Sequence, residues 1–258
     1  MVVVAASTVI SCEPDGCGRS SFAMFEGHAS PRAATSEAIS TDRQSTLAAM
    51  RLAAVLAGTA LMVGAGPVRE VPPFSATVMP VRWADVRFSW RPGCPVAPEQ
   101  LRLVRLRVWG FDGHSRLGRL VVHARVTGGV VAVFRRLYQA RFPIRRMAPV
   151  SAYGGSDDAS MAADNTSGFN CRAAVGSASR QWSAHAYGLA IDVNPVENPY
   201  LLRGKVLPPA GTAFVHRTRR RPGMAGAGGV LVRAFAAAGW EWGGLWRGSP
   251  DYQHFSAH

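Results

Sequence analysis

The chain has 258 residues, of which 48% are hydrophobic and 17% are charged, and this composition excludes an intrinsically disordered protein. Its length is sufficient for one large domain or two small ones. The formal net charge is +13 and the isoelectric point is about 11.0. No basic run is interleaved with aromatic residues, which argues against a nucleic-acid-binding protein.

The positive charge comes almost entirely from arginine, since Lys205 is the only lysine. Two interpretations remain open. Arginine and alanine are both abundant when a genome is GC-rich, or the arginines attract a polyanionic partner. The densest cluster, at 217–221, lies beside Pro222 and Gly223 and is typical of a solvated loop.

An apolar segment at 52–66 has the three parts of a secretory signal: Met50 and Arg51 precede it, it is uncharged, and it ends in small residues before Pro67. We therefore predict a signal peptide over 50–66. On this hypothesis Met50 is the initiator, and residues 1–49 are a non-native or disordered extension.

Two alternatives keep Met1 as the start of the protein. In one, 52–68 is an uncleaved membrane anchor, although its length is near the lower limit for a span. In the other, Cys12 at the end of "VISC" is a site of lipid attachment. All three interpretations send the following domain across a membrane.

Beyond the signal segment the chain contains only Cys94 and Cys171. An even number of cysteines in an exported chain predicts a disulfide between them, and two buried free thiols are the alternative. Neither cysteine has the Cys-x-x-Cys spacing of a structural zinc site.

Residues 67–89 are rich in Pro and Val, so we predict a linker there and a folded domain over 90–258. Apolar alternation predicts strands at 101–110 and 118–126, joined by an Asp-Gly turn. Apolar residues at helical spacing then predict a helix near 128–141.

The second half of the domain mixes further strands and helices. We predict a strand at 144–152, then a long polar loop at 154–172, a short β-segment at 189–195 and a helix at 226–238 that ends at Gly239. Strands and helices do not alternate regularly. The predicted fold class is therefore α+β, with a small, mostly antiparallel sheet and flanking helices.

The stretch "SAHAYGLAIDVNP" holds His185 and Asp192 seven residues apart, and "PDYQHF" adds His254 near the C-terminus. Two imidazoles and one carboxylate, with a fourth position left for water, are the ligands of a catalytic zinc site. Asp251, three residues before His254, is placed to act as a general base. A hydrogen-bonded structural His–Asp pair is the alternative.

These segments resemble the bacterial D-alanyl-D-alanine carboxypeptidase (VanY-type) metallopeptidases, and within them the L-alanyl-D-glutamate peptidases of cell-wall enzymes and phage endolysins. The family motif Ser-x-His-x-x-Gly-x-Ala-x-Asp is filled by Ser183, His185, Gly188, Ala190 and Asp192. The second motif, an acidic residue three positions before a histidine, is filled by Asp251 and His254.

The resemblance implies that His185, Asp192 and His254 hold Zn²⁺ and that Asp251 is the catalytic base. It also implies that Arg172, at the end of "GFNCR", binds the carbonyl oxygen of the scissile bond. A surface salt bridge is the alternative for this arginine. The implied fold is the small α+β fold shared by these peptidases and the Hedgehog signalling domain.

Two further residues are candidates for binding substrate. Ser183 either hydrogen-bonds substrate or orients its own turn. Trp242 belongs to an aromatic segment with Trp240 and Trp246 that either walls the cleft or packs in the core.

The expected function is hydrolysis of peptidoglycan peptide stems, at either the D-Ala–D-Ala or the L-Ala–D-Glu bond, by an exported monomer that is secreted or associated with the cell wall. Anionic wall polymers are a further expected partner, and nucleic acid is not. The membrane is a partner only if 52–68 stays uncleaved. The competing hypothesis is a non-catalytic zinc module that binds the wall or a protein.

Overall fold

The computed structural model describes residues 71–175 and 181–258. The segments predicted as an N-terminal extension and as a signal or anchor lie outside the described residues. Within the described ranges, no helix has the length and apolarity needed to cross a membrane.

The described residues form a mixed α/β structure with small sheets and few helices. The helices are α1 (Trp83–Val86), α2 (Thr127–Gln139), α3 (Asp157–Ala162) and α4 (Val230–Ala236). The strands are β1 (Ala76–Pro80), β2 (Leu101–Trp109), β3 (Ser115–His123), β4 (Arg146–Met147), β5 (Asn165–Thr166), β6 (Ala190–Asp192), β7 (Tyr200–Leu202), β8 (Lys205–Leu207), β9 (Glu241–Trp242) and β10 (His254–Ser256).

The larger sheet is antiparallel, in the order β1-β2-β3. The register pairs Leu101 with His123 at one end and Trp109 with Ser115 at the other. The turn between β2 and β3 contains Gly113 at φ +72°, a conformation that glycine adopts without a steric cost. The hairpin predicted from the sequence is present, with β3 beginning three residues earlier than expected.

Helix α2 covers one face of this sheet and confirms the helix expected near 128–141. Its buried residues recur at helical spacing: Val130, Val133, Phe134 and Leu137. They pack in the main core against Val104 and Leu120 of the sheet. Removing a side chain such as that of Phe134 from water contributes about 1.5–3 kcal/mol.

The smaller sheet, in the order β6-β10-β9, is antiparallel and packs against α4. Phe255 of β10 stacks on Phe235 of α4, with ring centroids 4.1 Å apart. Because neighbouring residues of a strand point to opposite faces, Phe255 faces the core while His254 faces the other side. The strand therefore joins the hydrophobic core to the candidate site.

The segment expected as a linker over 67–89 is instead part of the folded unit in its described portion. β1 pairs with β2 along five residues, and α1 follows it. Val86 is fully buried and Asp85 nearly so, with the Asp85 carboxylate 3.8 Å from Arg119 of β3. The Pro- and Val-rich composition thus reflects an edge strand, where proline is tolerated.

Three other expectations differ from the structure, and the first is the helix expected over 226–238, which is shortened to α4, Val230–Ala236. The strand expected over 144–152 is reduced to β4, followed by a 3₁₀ turn at Val150–Tyr153. The polar loop expected over 154–172 contains α3 and β5. Ser156 begins α3, because its hydroxyl oxygen accepts a hydrogen bond from the Ala159 N–H at 3.1 Å.

Cys94 and Cys171 form a disulfide that joins the start of the domain to the segment before the first motif. Cys171 is buried in a second cluster with Val86, Leu101 and Phe169. The bond therefore fixes the residue that immediately precedes Arg172.

Candidate metal centre and cleft

The pairing of β6 with β10 brings two of the candidate ligands together. Asp192 and His254 lie directly opposite each other in the antiparallel register. Side chains of opposite residues leave the sheet on the same face, about 5 Å apart at Cβ. Strand pairing alone therefore directs both side chains to a common point, although 62 residues separate them in the chain.

His185 reaches the same point from the turn that precedes β6. Its 3₁₀ turn, Ala184–Tyr187, begins at Ser183, whose hydroxyl oxygen accepts from the His185 N–H at 3.3 Å. The turn ends at Gly188 with φ +67°, and a Cβ at this position would lie 2.6 Å from the backbone nitrogen of His123. Glycine is therefore required at this position of the motif.

The three candidate ligands form a compact triangle, in which one donor atom from each residue lies within 4.8 Å of the others. His185 Nε2 lies 3.2 Å from Asp192 Oδ2, His254 Nδ1 lies 3.2 Å from Asp192 Oδ1, and the two imidazole nitrogens are 3.2 Å apart. A tetrahedral cation with bonds of about 2.0–2.1 Å separates its ligand atoms by roughly 3.3–3.4 Å. The spacing of the donors therefore fits a metal ion.

The hydrogen bonding of His185 also favours a cation at the centre of the triangle. His185 Nδ1 lies 2.7 Å from the carbonyl oxygen of Gly168, which can only accept, so Nδ1 carries a proton. In the neutral imidazole the lone pair is then on Nε2, and it faces a carboxylate oxygen. A metal ion satisfies both acceptors, and the Gly168 carbonyl orients the ring as outer partners of zinc-bound histidines do.

His185 and Asp192 stabilise each other's charged forms. Burial opposes the charged form of His185, but the carboxylate of Asp192 outweighs it and raises the pKa of the imidazole. Burial likewise opposes ionisation of Asp192, but the two imidazoles hold its pKa well below the usual range. The site therefore keeps its carboxylate ionised, which is the form that binds a metal.

Asp251 lies beside the triangle, in the turn before β10. Its backbone N–H donates to the Gly243 carbonyl at 3.0 Å, and a Cβ on Gly243 would lie 3.2 Å from the Cβ of Asp251. Asp251 Oδ1 is buried and has no hydrogen-bond partner among the described residues. Burial, and then the charge of Asp192, raises the pKa of this carboxyl to about 7.

A cleft of about 250 Å³ opens onto these residues. Its lining includes Arg172, Ser183, His185, Asp192, Asp251 and His254, so the structure brings together all but one of the sequence-predicted site residues outside the disulfide. The exception is Trp242, which is only 9% exposed, packs beside Phe255 and donates from Nε1 to the Tyr252 carbonyl in the core.

Trp246, rather than Trp242, forms the aromatic wall of the cleft. It is 43% exposed, and its ring centroid lies 5.2 Å from that of His254. Sequence reasoning treated the three tryptophans of this segment as a group. The turn residues that follow Trp246 in the sequence could have indicated that it is exposed, whereas Trp240 and Trp242 are buried.

Arg172 also lines the cleft, and Asp157 pairs with it. Arg172 Nε is 2.9 Å from Asp157 Oδ2. In the sequence, Asp157 looked like a charge in a surface loop. It is instead the first residue of α3 and lines the cleft.

Comparison with known proteins adds to this geometry. Residues 177–257 match the family model described as D-alanyl-D-alanine carboxypeptidase. No curated protein and no solved structure matches the chain significantly. The match spans both sequence motifs and the three residues of the triangle. Over residues 177–257, the family model thus confirms the resemblance read from the motifs.

Proposed function

We propose that the protein is an exported zinc peptidase that hydrolyses the peptide stems of peptidoglycan. The observation that carries this proposal is the buried triangle of His185, Asp192 and His254 beside Asp251, whose Oδ1 has no hydrogen-bond partner in the described part of the chain. Two imidazoles and one carboxylate suit Zn²⁺ and leave a fourth position for water or substrate. The family of the matched segment supports the same reaction class.

In this proposal His185 Nε2, His254 Nδ1 and a carboxylate oxygen of Asp192 hold the ion. When bound, zinc makes water acidic enough to attack an amide near neutral pH and polarises the attacked carbonyl. Asp251 accepts the proton of the attacking water at Oδ1 and delivers it to the departing amine. Its raised pKa suits both transfers.

Arg172 donates to the carbonyl oxygen of the scissile bond as negative charge develops there. A guanidinium held in a partly buried cleft is effective because it needs little reorganisation. Ser183 lines the cleft next to it, and its backbone N–H donates to the Arg172 carbonyl at 3.1 Å. The Ser183 hydroxyl therefore orients the His185 turn, and it borders the bound peptide.

The finer assignments follow from the same resemblance. The bond cut is D-Ala–D-Ala at a stem terminus or L-Ala–D-Glu within the stem, and the fold is of the Hedgehog type. We further propose that 50–66 acts as the signal peptide and that the protein is a secreted or wall-associated monomer. The net charge of +13 supports attraction to anionic wall polymers.

The test uses the full chain loaded with Zn²⁺, incubated with purified stem peptides and followed by mass spectrometry. We expect metal-dependent loss of one D-alanine, or cleavage after L-alanine, and either product identifies the bond. Intact peptides at full zinc occupancy would overturn the proposed function and favour a binding module.

The Asp251→Asn variant tests the role of the general base without changing any of the three proposed metal ligands. The amide cannot accept the proton, so we expect turnover to fall by about 10²–10⁴-fold while zinc content stays unchanged. Asp112→Asn is the matched control, because Asp112 forms an exposed ion pair with Arg116 and does not line the cleft. Hydrolysis at the normal rate by Asp251→Asn would reject the base assignment.

A further inference from the structure

Asp157 begins helix α3 and lines the same cleft as the candidate metal centre. Its side chain is 18% exposed, and that of Arg172 is 22% exposed. A pair this deep is less weakened by solvent than a surface pair. The capped start of α3 fixes the backbone of Asp157, because Ser156 closes the first turn.

Each carboxylate oxygen of Asp157 has its own partner. Oδ2 lies 2.9 Å from the buried Arg172 Nε, an ion pair without hydrogen-bond geometry, and Oδ1 accepts a hydrogen bond from Asn170 Nδ2 at 3.3 Å. Asn170 is buried, and its backbone N–H donates to the His185 carbonyl at 3.1 Å. Asp157 is therefore connected through Asn170 to the turn that carries a metal ligand.

Among the described residues, the contacts of Arg172 involve Nε and Nη1. Nε faces Asp157, and Nη1 donates to the Ala173 carbonyl at 3.3 Å. Within 71–175 and 181–258, no acceptor is assigned to Nη2. The disulfide at Cys171 holds the backbone next to it.

A second carboxylate competes for Arg172. Arg172 and Asp251 line the same cleft, together with the metal centre. Without Asp157, the mobile side chain of Arg172 could turn toward Asp251. The arginine would then cover the oxygen that must accept a proton, and it would leave the position where the scissile carbonyl binds.

We propose that Asp157 is a positioning residue, which holds Arg172 by its Nε edge so that Nη2 faces the substrate carbonyl and Asp251 stays uncovered. This inference rests on the proposed peptidase function. It assigns Asp157 no contact with the reacting atoms.

The first test is a double-mutant cycle on stem-peptide hydrolysis with Asp157→Asn, Arg172→Ala and both together. We expect Asp157→Asn to lower kcat about 10–100-fold with little change in KM, because it misplaces a group that acts on the transition state. In the Arg172→Ala background the same change should alter kcat less than about twofold. Asp157→Glu should retain more of the wild-type kcat than Asp157→Asn does. Asp112→Asn, the control, should leave kcat and KM unchanged.

The second test does not depend on activity. The Arg172 Nε–Hε signal in nitrogen-15 NMR spectra of the zinc-loaded protein, identified by its loss in Arg172→Lys, should be resolved and protected from solvent exchange. In Asp157→Asn it should exchange like those of exposed arginines. An unchanged signal, or an equal loss of kcat with and without Arg172, would overturn the inference.

The two tests also separate this inference from the proposed function. Wild-type protein that hydrolyses no stem peptide would overturn the function, and with it the catalytic role of the pair. The NMR signal would still decide whether Asp157 holds Arg172.

Discussion

At the residue scale, His185 is the candidate ligand with the most complete support. Gly168 fixes its protonated nitrogen, Gly188 allows its turn, and Nε2 points at Asp192. A change of an outer partner of a metal ligand costs about 10–100-fold in affinity, so loss of the ligand itself should cost more than about 100-fold.

We therefore expect His185→Ala to lose zinc when it is dialysed against a weak chelator, as measured by elemental analysis. His216→Ala is the control, because His216 is exposed and does not line the cleft. Full zinc occupancy of His185→Ala would remove this histidine from the ligand set.

Glu197 is a second residue whose environment makes a measurable prediction. It is buried in the loop after β6, where Arg145 Nη2 lies 3.2 Å from its Oε1. Burial, and then the neighbouring carboxyl of Asp164, raises the pKa of Glu197 from 4.5 to about 7. The folded protein thus binds the proton more tightly than the unfolded chain does.

A carboxyl with a raised folded-state pKa contributes stability that is complete below the unfolded pKa and is lost as the pH rises through the folded pKa. We expect this contribution to disappear between about pH 4.5 and pH 7. Glu197→Gln should remove that part of the pH dependence of the free energy of unfolding, and Glu99→Gln, at an exposed site, should not. Parallel curves for wild type and Glu197→Gln would contradict the assignment.

At the element scale, Gly243 allows the turn before β10 to approach the site. A Cβ at Gly243 would lie 2.8 Å from the Asp251 carbonyl oxygen and 3.3 Å from the His254 Cβ. Gly243→Ala should push Asp251 away from its position and lower turnover by tenfold or more, at a cost of about 1–3 kcal/mol in stability.

The control for this change is Gly128→Ala near the start of α2, where nothing lies within 4 Å of an added Cβ. Stem-peptide kinetics and denaturant unfolding of both variants make the comparison. Wild-type turnover by Gly243→Ala would show that the close approach of Gly243 to Asp251 is not needed for activity.

The elements differ in how far the sequence could predict them. Helix α2 and the β2–β3 hairpin carry long apolar patterns, and these patterns were sufficient to predict which of their faces are buried. Helix α3 has six residues and polar surroundings, so its identity depends on the Ser156 cap and on contacts across the cleft. β1 is an edge strand with an exposed pattern that no periodicity distinguishes from a linker.

The candidate site was predictable where a motif fixes it and unpredictable where distant segments meet. The motifs indicated the triangle and Asp251, but the pairing of Asp157 with Arg172 arises only when α3 folds over the cleft. The contacts of Arg217, outside the site, were also not predictable from the sequence. It appeared to belong to a solvated cluster, yet its guanidinium donates to Asn198 Oδ1 and to backbone carbonyls of the fold.

At the scale of the whole molecule, the disulfide closes a long segment of chain. Cys94 and Cys171 are separated by 77 residues, and a loop of that size corresponds to about 4 kcal/mol of stabilisation through the unfolded state. Cys94→Ser/Cys171→Ser should lose stability of this order in denaturant unfolding. Wild-type protein measured with a reductant should fall to the same value, and an unchanged midpoint in both would refute the estimate.

The pairing of β10 between β6 and β9 has a consequence for how long the folded protein survives. A strand of three residues has too few backbone hydrogen bonds to remain paired by itself. A cation held by His185, Asp192 and His254 would add a reversible cross-link to this strand. It would join His254 to residues that are 62 and 69 positions earlier in the chain. Removal of the ion would then lower the free energy of unfolding as well as stop turnover, so metal supply would govern the stability of the molecule together with its activity.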